Sequence, residues 1–163
     1  MHWRRLTLIA ILPLAFPSVG SSQTRNVRFA DCPVTTPRAT PASMLGAVGM
    51  RNAYWNGKLY VGEFSPDATV MVGPLGVGSI LPDGSLEMKY PWFRAEGLKG
   101  KLIITGRRLD AEAPPLKAVI PNGYMDTGFQ ATALIFPTEG CWEVTGKVAD
   151  TTLTFVNRVI RAE

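Results

Sequence analysis

The sequence predicts an all-β fold made of antiparallel strands, arranged as a sandwich or a barrel. From Met44 onward, short apolar runs are interrupted by glycine or proline about every 8–12 residues, which is typical of such folds. No window keeps the apolar period of about 3.6 residues over three turns, so we expect little helix. Antiparallel β-structure is therefore the predicted class.

The first strand pair is predicted over Ala53–Val61. Asn56 and Gly57 lie between two strand-like runs, and this dipeptide favours a type I′ turn, which needs positive φ at both central positions. We therefore expect a tight hairpin here.

A second reversal, at 82–84 (Pro-Asp-Gly), precedes the run 86–90. In that run Leu86, Met88 and Tyr90 share one face because side chains alternate along a strand. Pro91 then removes a backbone donor, so we expect this strand to be an edge or to bulge.

The remaining strands follow the same apolar pattern. We predict them at 101–105, 131–136, 141–148 and 152–159, with a shorter one at 117–120 inside a long excursion over 106–129. On the penultimate strand, alternation places Trp142, Val144 and Val148 toward the core. The outward residues are then Cys141, Glu143, Thr145 and Lys147.

The N-terminus has the pattern of a secretory signal peptide over residues 1–22. Arg4 and Arg5 precede an apolar run from Leu6 to Phe16, and small residues follow. A Pro- and Thr-rich arm is predicted over 23–43 and the folded domain over 44–163. Because His2 is the only histidine, removal of the leader excludes Ser-His-Asp and Cys-His catalysis, and metal sites built on histidine.

Two cysteines, Cys32 and Cys141, follow the predicted leader. In an oxidising compartment, reached by export, an even pair indicates one disulfide, and two free thiols are the alternative. Since Cys141 is predicted to face outward, the disulfide should attach the arm to the outside of a sheet.

The charge excludes some partners. The formal net charge is +4 and falls to about +2 without Arg4 and Arg5, and no basic run resembles a nucleic-acid tract. After the leader, no stretch approaches the ~20 apolar residues of a membrane helix, so we predict no transmembrane segment in the mature chain.

A series of specific motifs lies along the predicted domain, at 89–94 (KYPWFR), 106–110 (GRRLD), 113–116 (APPL), 123–124 (GY), 128–130 (GFQ) and 136–146 (FPTEGCWEVTG). Together these motifs resemble a family of small exported bacterial proteins that has no assigned activity. The resemblance implies an immunoglobulin-like β-sandwich and an extracytoplasmic location. It implies no catalytic residue.

One constellation suits ligand binding. It consists of Trp92, Arg94, Arg107, Arg108 and Tyr124. Guanidinium groups form paired hydrogen bonds to carboxylates and phosphates, and aromatic faces stack on rings. The alternative is a structural Arg–Trp stack with a salt bridge to Asp110 or Glu112.

The function expected from these patterns is an exported, non-enzymatic binding or structural module of the cell envelope, with no cofactor and no metal. Candidate partners are an envelope protein, an anionic small ligand or a polysaccharide. The alternative of a histidine-free hydrolase depends on Asp110 and Glu112, which would share a face on a strand as paired carboxylates.

Overall fold

The computed structural model describes residues 28–162, which form two β-sheets packed face to face. The predicted all-β sandwich is confirmed, and the immunoglobulin-like topology stays a prediction. The predicted leader, 1–22, and the start of the arm, 23–27, lie outside the described residues. The α-helix α1 (Leu45–Val48) has four residues, and nowhere in residues 28–162 does a helix reach the length and apolar character needed to cross a bilayer.

Seven strands form the larger sheet, and all of their pairings are antiparallel. They are β1 (Arg38–Ala39), β2 (Asn52–Trp55), β3 (Leu59–Glu63), β5 (Ser79–Ile80), β6 (Leu86–Arg94), β8 (Lys117–Val119) and β9 (Gly128–Phe136). Their order is β1-β2-β3-β6-β9-β8, and β5 pairs with β6 on the edge that β3 also uses.

Four strands form the smaller sheet. They are β4 (Thr69–Val72), β7 (Ile103–Arg108), β10 (Gly140–Val148) and β11 (Thr151–Arg161), in the order β4-β11-β10-β7. β4 runs parallel to β11 and the other pairs are antiparallel. The predicted strands of residues 101–159 are all present, with ends displaced by up to three residues.

Alternating side chains of the long strands fill the space between the sheets, as the sequence predicts. Leu86, Met88 and Tyr90 of β6 are at most 1% exposed. Trp142 and Val144 of β10 have no exposed surface. The core residues of these two strands therefore lie on the predicted faces.

Trp92 of β6 packs directly against Gly146 of β10 across the sandwich. A Cβ atom placed on Gly146 would lie 2.4 Å from Cη2 and Cζ3 of the Trp92 indole. Real Cβ atoms do not approach other atoms so closely, so only glycine fits beneath this ring. The ring of Phe155, on β11, lies 6.1 Å from the indole, so Trp92 is enclosed by the smaller sheet.

The hairpin at Asn56 and Gly57 is confirmed, but the predicted type I′ turn is wrong. Gly57 has φ +91°, whereas Asn56 is not among the non-glycine residues with positive φ. The Asn56 side chain accepts hydrogen bonds from the N–H groups of Lys58 (3.1 Å) and Leu59 (2.9 Å). A side-chain acceptor therefore stabilises the reversal, which needs a left-handed residue only at glycine.

Pro91 does not lie on an edge strand. β6 pairs with β9 along its whole length, and its other edge pairs with β3 as far as Val61 opposite Trp92 and with β5 at Leu86 and Glu87. Pro91 packs against Gly62 of β3, where a Cβ atom placed on Gly62 would lie 2.9 Å from Cγ of the proline, and the ladder between β3 and β6 ends there. The register with β9 continues through Pro91 without a bulge, so the prediction of an edge strand or a bulge is wrong, and the interior strand tolerates the proline because it lies where one ladder ends.

The disulfide between Cys32 and Cys141 is present and lies on the outer face of the smaller sheet, as predicted. The two cysteines form a small apolar cluster with Val156, separate from the main core. Next to them, the N–H of Thr35 donates to the Val156 carbonyl and the Thr35 hydroxyl accepts from the Val156 N–H, both at 2.9 Å. The arm therefore covers Cys141, which faces outward yet has no exposed surface.

The alternation on β10 predicts that substitutions at two neighbouring residues change the stability by very different amounts. Replacement of Trp142 by alanine should lower the free energy of unfolding by about 3–5 kcal/mol, because it leaves a cavity in the core and removes the hydrogen bond from Nε1 to the Thr138 carbonyl. Replacement of Glu143 by alanine should change it by no more than about 0.5 kcal/mol, because its ion pair with Arg107 is exposed. Urea melts of the two variants measure both quantities, and a larger loss for Glu143→Ala would contradict the assignment of faces.

Candidate functional site

The candidate site is a cavity at one end of the sandwich, beside the last residue of β6. The inward residues of β6 continue beyond Tyr90 to Trp92 and then to Arg94. Alternation therefore places Arg94 on the same buried face as Trp92, and Arg94 is only 2% exposed. A cationic side chain thus lies where the strand pattern calls for an apolar one.

The guanidinium of Arg94 is held by neutral acceptors at long distances. Nη1 donates to the carbonyls of Met125 (3.2 Å) and Gly128 (3.3 Å), and Nη2 donates to Oε1 of Gln130 (3.4 Å). Nε is buried and has no hydrogen-bond partner. Among the ion pairs of residues 28–162, none involves Arg94.

Burial is the main influence on the pKa of Arg94. It lowers the pKa of the guanidinium, and the charge of Asp126 opposes this shift. Arginine nevertheless remains protonated in proteins, so the site carries a positive charge. A buried cation without a close counter-ion is costly unless a partner neutralises it.

A cavity of about 330 Å³ opens beside this guanidinium. Arg94 and Gln130, which is 4% exposed, form one wall of the cavity. The exposed side chains of Lys101 and Asp126 also line the cavity. Two positive groups therefore face one negative group, which leaves the cavity with a net positive charge. Such a site suits an acidic group of a ligand.

The connection between β8 and β9 forms the outer wall of the cavity. It contains Asn122 and Tyr124, and Tyr124 is 41% exposed and packs edge-on against Phe129 at a centroid distance of 5.7 Å. The Asp126 carbonyl accepts a hydrogen bond of 2.9 Å from the N–H of Gly100, which attaches this connection to the segment after β6. An aromatic ring is thus held at the rim beside the charged groups.

Of the five residues predicted as a ligand constellation, the structure brings Arg94 and Tyr124 together. Trp92 is fully buried under Gly146 and touches no surface that a ligand reaches. We therefore leave Trp92 out of the candidate site.

Arg107 and Arg108 lie on the other sheet and on opposite faces of β7. Arg107 is exposed on the outer face, where Nε donates to Oε1 of Glu143 at 2.8 Å. Arg108 pairs with Asp110 through two hydrogen bonds of 2.8 and 2.9 Å, and Nη1 donates to the hydroxyl of Thr138. Neither arginine lines the cavity beside Arg94.

Asp110 and Glu112, the residues of the hydrolase alternative, have different surroundings. The Asp110 carboxylate accepts from Arg108 and from the Cys141 N–H (2.9 Å), and Glu112 is exposed. Burial tends to raise the pKa of Asp110, but the hydrogen bonds outweigh it and the pKa is lowered. Asp110 is therefore held ionised by its own neighbours and is a poor general acid.

The sequence patterns missed three residues of the cavity, namely Lys101, Asp126 and Gln130. Gln130 carried a signal, because it alternates with Thr132, Leu134 and Phe136 on β9 and so belongs to the inward face. No sequence pattern indicated Lys101 and Asp126, because both lie in loops whose position beside Arg94 is set by the tertiary structure.

A second polar cluster lies in the core, around Glu63 of β3. Its carboxylate is 2% exposed and accepts from Nδ2 of Asn157 (2.7 Å) and from the N–H groups of Phe64 (2.8 Å) and Ser65 (3.1 Å). Burial raises the pKa of Glu63, and these hydrogen bonds oppose the shift. Because protein donors already satisfy this carboxylate, we regard it as structural.

Comparison with protein-family models, with curated proteins and with solved structures finds no match for this chain. In the described part of the chain, no three cysteine or carboxylate side chains are grouped as metal ligands. The candidate site therefore depends on the geometry around Arg94.

The raised pKa of Glu63 predicts that the protein loses stability as the pH rises. Protonated Glu63 favours the folded state; this contribution is complete below the unfolded pKa of about 4.3 and is lost as the pH rises through the raised folded pKa. The free energy of unfolding of Glu63→Gln, taken relative to that of the wild type, should therefore rise from pH 4 to pH 8, because the glutamine does not ionise.

Urea melts from pH 4 to pH 8 measure this difference, and the subtraction cancels the contributions of other carboxylates. The exposed Glu112→Gln is the matched control and should parallel the wild type at each pH. A Glu63→Gln profile parallel to the wild type would show that the buried carboxylate does not titrate differently in the folded state.

Proposed function

We propose that this protein is an extracytoplasmic, non-enzymatic binding module that holds an acidic group of its ligand in the cavity beside Arg94. Export through the leader 1–22 and the resemblance to exported immunoglobulin-like proteins support the location. The Cys32–Cys141 disulfide supports it as well, because disulfides persist in oxidising compartments.

One observation carries the proposal, namely a buried guanidinium that has no carboxylate partner and lines a cavity. A buried arginine that serves only the fold is ordinarily paired, and even the partly buried Arg108 is paired with Asp110. Arg94 instead has three long bonds to neutral oxygens and an unpartnered Nε. An acidic ligand supplies the counter-charge that the fold omits.

The contacts favour a carboxylate on a small ring or on a sugar chain. Oε1 of Gln130 receives the longest of the three bonds to Arg94, at 3.4 Å, so a ligand oxygen that takes its place forms a stronger, charge-assisted bond with Nη2. Lys101 adds a second positive charge, and the half-exposed ring of Tyr124 offers a stacking surface at the rim. An acidic sugar residue has both a carboxylate for the two cations and a ring that can stack on Tyr124.

Glucuronate and glucose form a matched pair of probes, since they differ only in a carboxylate against a hydroxymethyl group. We expect glucuronate, and not glucose, to shift the amide NMR signals of the cavity wall (residues 121–130) in the oxidised protein. The affinity should fall with added salt, because Lys101 and Asp126 are exposed and their charges are screened over about 8 Å at physiological ionic strength. Equal binding of both sugars, or of neither, would refute a carboxylate site.

Charge variants test whether the cavity is the binding site. Lys101→Gln should weaken glucuronate binding about two- to five-fold and Asp126→Asn should strengthen it by a similar factor, as expected for exposed charges. Arg94→Gln should abolish binding, provided that its thermal melt shows a folded protein. Titration of each variant measures these changes.

The control is Arg107→Gln, which removes an exposed arginine from the other sheet and should leave the affinity unchanged. An effect of Arg107→Gln equal to that of Lys101→Gln would mean that net charge, rather than the cavity, attracts the ligand.

A further inference from the structure

The dipeptide Asn-Gly occurs twice in the sequence, at Asn56-Gly57 and at Asn122-Gly123. The two copies have similar surroundings. Both asparagines are exposed, and φ is +91° at Gly57 and +99° at Gly123. A Cβ atom placed on either glycine would meet no atom within 4 Å. The two dipeptides therefore form a matched pair, and the contacts of the asparagine side chains distinguish them.

An asparagine that precedes glycine is prone to lose its amide, because glycine has no side chain to hinder the approach of its main-chain nitrogen. This nitrogen gives up its proton to the solvent and attacks Cγ of the asparagine. A bond from the nitrogen to Cγ forms, the bond from Cγ to Nδ2 breaks, and Nδ2 takes up a proton and leaves as ammonia. Water then opens the cyclic imide at either carbonyl, which yields aspartate or isoaspartate without any oxidant or reductant.

Hydrogen bonds hold the side chain of Asn56 in place. Its Oδ1 accepts from the N–H groups of Lys58 (3.1 Å) and Leu59 (2.9 Å), and its Nδ2 donates to the Thr152 carbonyl at 2.9 Å. Because rotation of the side chain moves both polar atoms, Cγ reaches the main-chain nitrogen of Gly57 only after these bonds open. The fold therefore protects this asparagine.

The side chain of Asn122 is not held in this way. Within residues 28–162 its amide makes no hydrogen bond, and the turn is attached through the main chain instead. The carbonyl of the preceding residue, Pro121, accepts from Nε2 of Gln130 at 3.5 Å. Asn122 can therefore rotate toward the nitrogen of Gly123 without breaking a hydrogen bond.

Asn122 also lines the cavity beside Arg94. The charged groups of this lining are the cations of Arg94 and Lys101 and the carboxylate of Asp126, which leave a net positive charge. Conversion of Asn122 to aspartate adds a second carboxylate and balances these charges. The new carboxylate then competes with an acidic ligand for the same two cations.

We propose that Asn122 is a site of spontaneous deamidation, and that the charge it gains weakens the hold of the cavity on an acidic ligand. The reactivity of Asn122 depends on its own contacts, whereas the effect on binding rests on the function proposed above. The affinity of the cavity therefore falls with the age of the protein.

Peptide mapping of the oxidised protein, aged at pH 8 and digested in acid, measures the conversion of each asparagine. In the folded protein we expect residue 122 to convert at least about ten-fold faster than residue 56, because Asn56 must first break three hydrogen bonds. In urea with a reductant the two rates should become similar, since both asparagines precede glycine. Equal rates in the folded protein, or faster conversion of Asn56, would overturn the proposal.

Aspartate variants test the effect on binding. Asn122→Asp should weaken glucuronate binding about two- to five-fold, whereas Asn56→Asp, which adds the same charge outside the cavity, should leave the affinity unchanged. Aged wild-type protein should lose affinity as residue 122 converts, and aged Asn122→Gln should not, because ring closure from the longer side chain is slow.

The two proposals fail in distinguishable ways. Unchanged affinity of Asn122→Asp, with normal binding by the wild type, would overturn the effect of deamidation alone. Failure of the fresh wild type to bind glucuronate would refute the proposed function together with this effect, and the peptide map would still decide whether Asn122 is the reactive residue.

Discussion

The close approach of Trp92 to Gly146 is the constraint on which the rest of the structure depends. The indole fills the interior between the sheets, and the absence of a side chain on Gly146 lets β10 pass over it at van der Waals distance. Phe155 closes the same space from β11, with Tyr54 stacked on it at 4.3 Å. This contact sets the orientation of β6, because one inward residue determines the face of every second residue along the strand.

The candidate site follows from that orientation. With Trp92 inward, Arg94 must also point inward, at the end of the sandwich where β6 ends and where the side chain lines a cavity. Within residues 28–162, two charged residues, Glu63 and Arg94, are buried, and their surroundings differ. Glu63 receives three hydrogen bonds from protein donors, whereas Arg94 has long bonds, an unpartnered Nε and a cavity beside it. Of these two residues, Arg94 has the longer hydrogen bonds and the buried polar atom without a partner.

The arm connects the two sheets on one flank of the sandwich. It is held to the smaller sheet by the disulfide and by Thr35, and it then pairs with β2 of the larger sheet through β1. On β6, by contrast, the ladders with β3 and β5 stop at Trp92 and Glu87. Pro91 packs against Gly62 at the end of the ladder with β3, where the N–H that proline lacks cannot extend the pairing.

Local patterns in the sequence were sufficient for the all-β class, the hairpin at Gly57, the inward face of Trp142 and the outer position of the disulfide, because each depends on alternation or turn chemistry within a few residues. The same alternation separates Arg107 from Arg108 and buries Trp92 with Arg94, although the predicted constellation grouped all four. Only the tertiary structure decided that β6 is an interior strand, that β4 pairs in parallel with β11, and that Lys101 and Asp126 meet Arg94. These features depend on which distant strands and loops become neighbours, and a period along one strand carries no information about that.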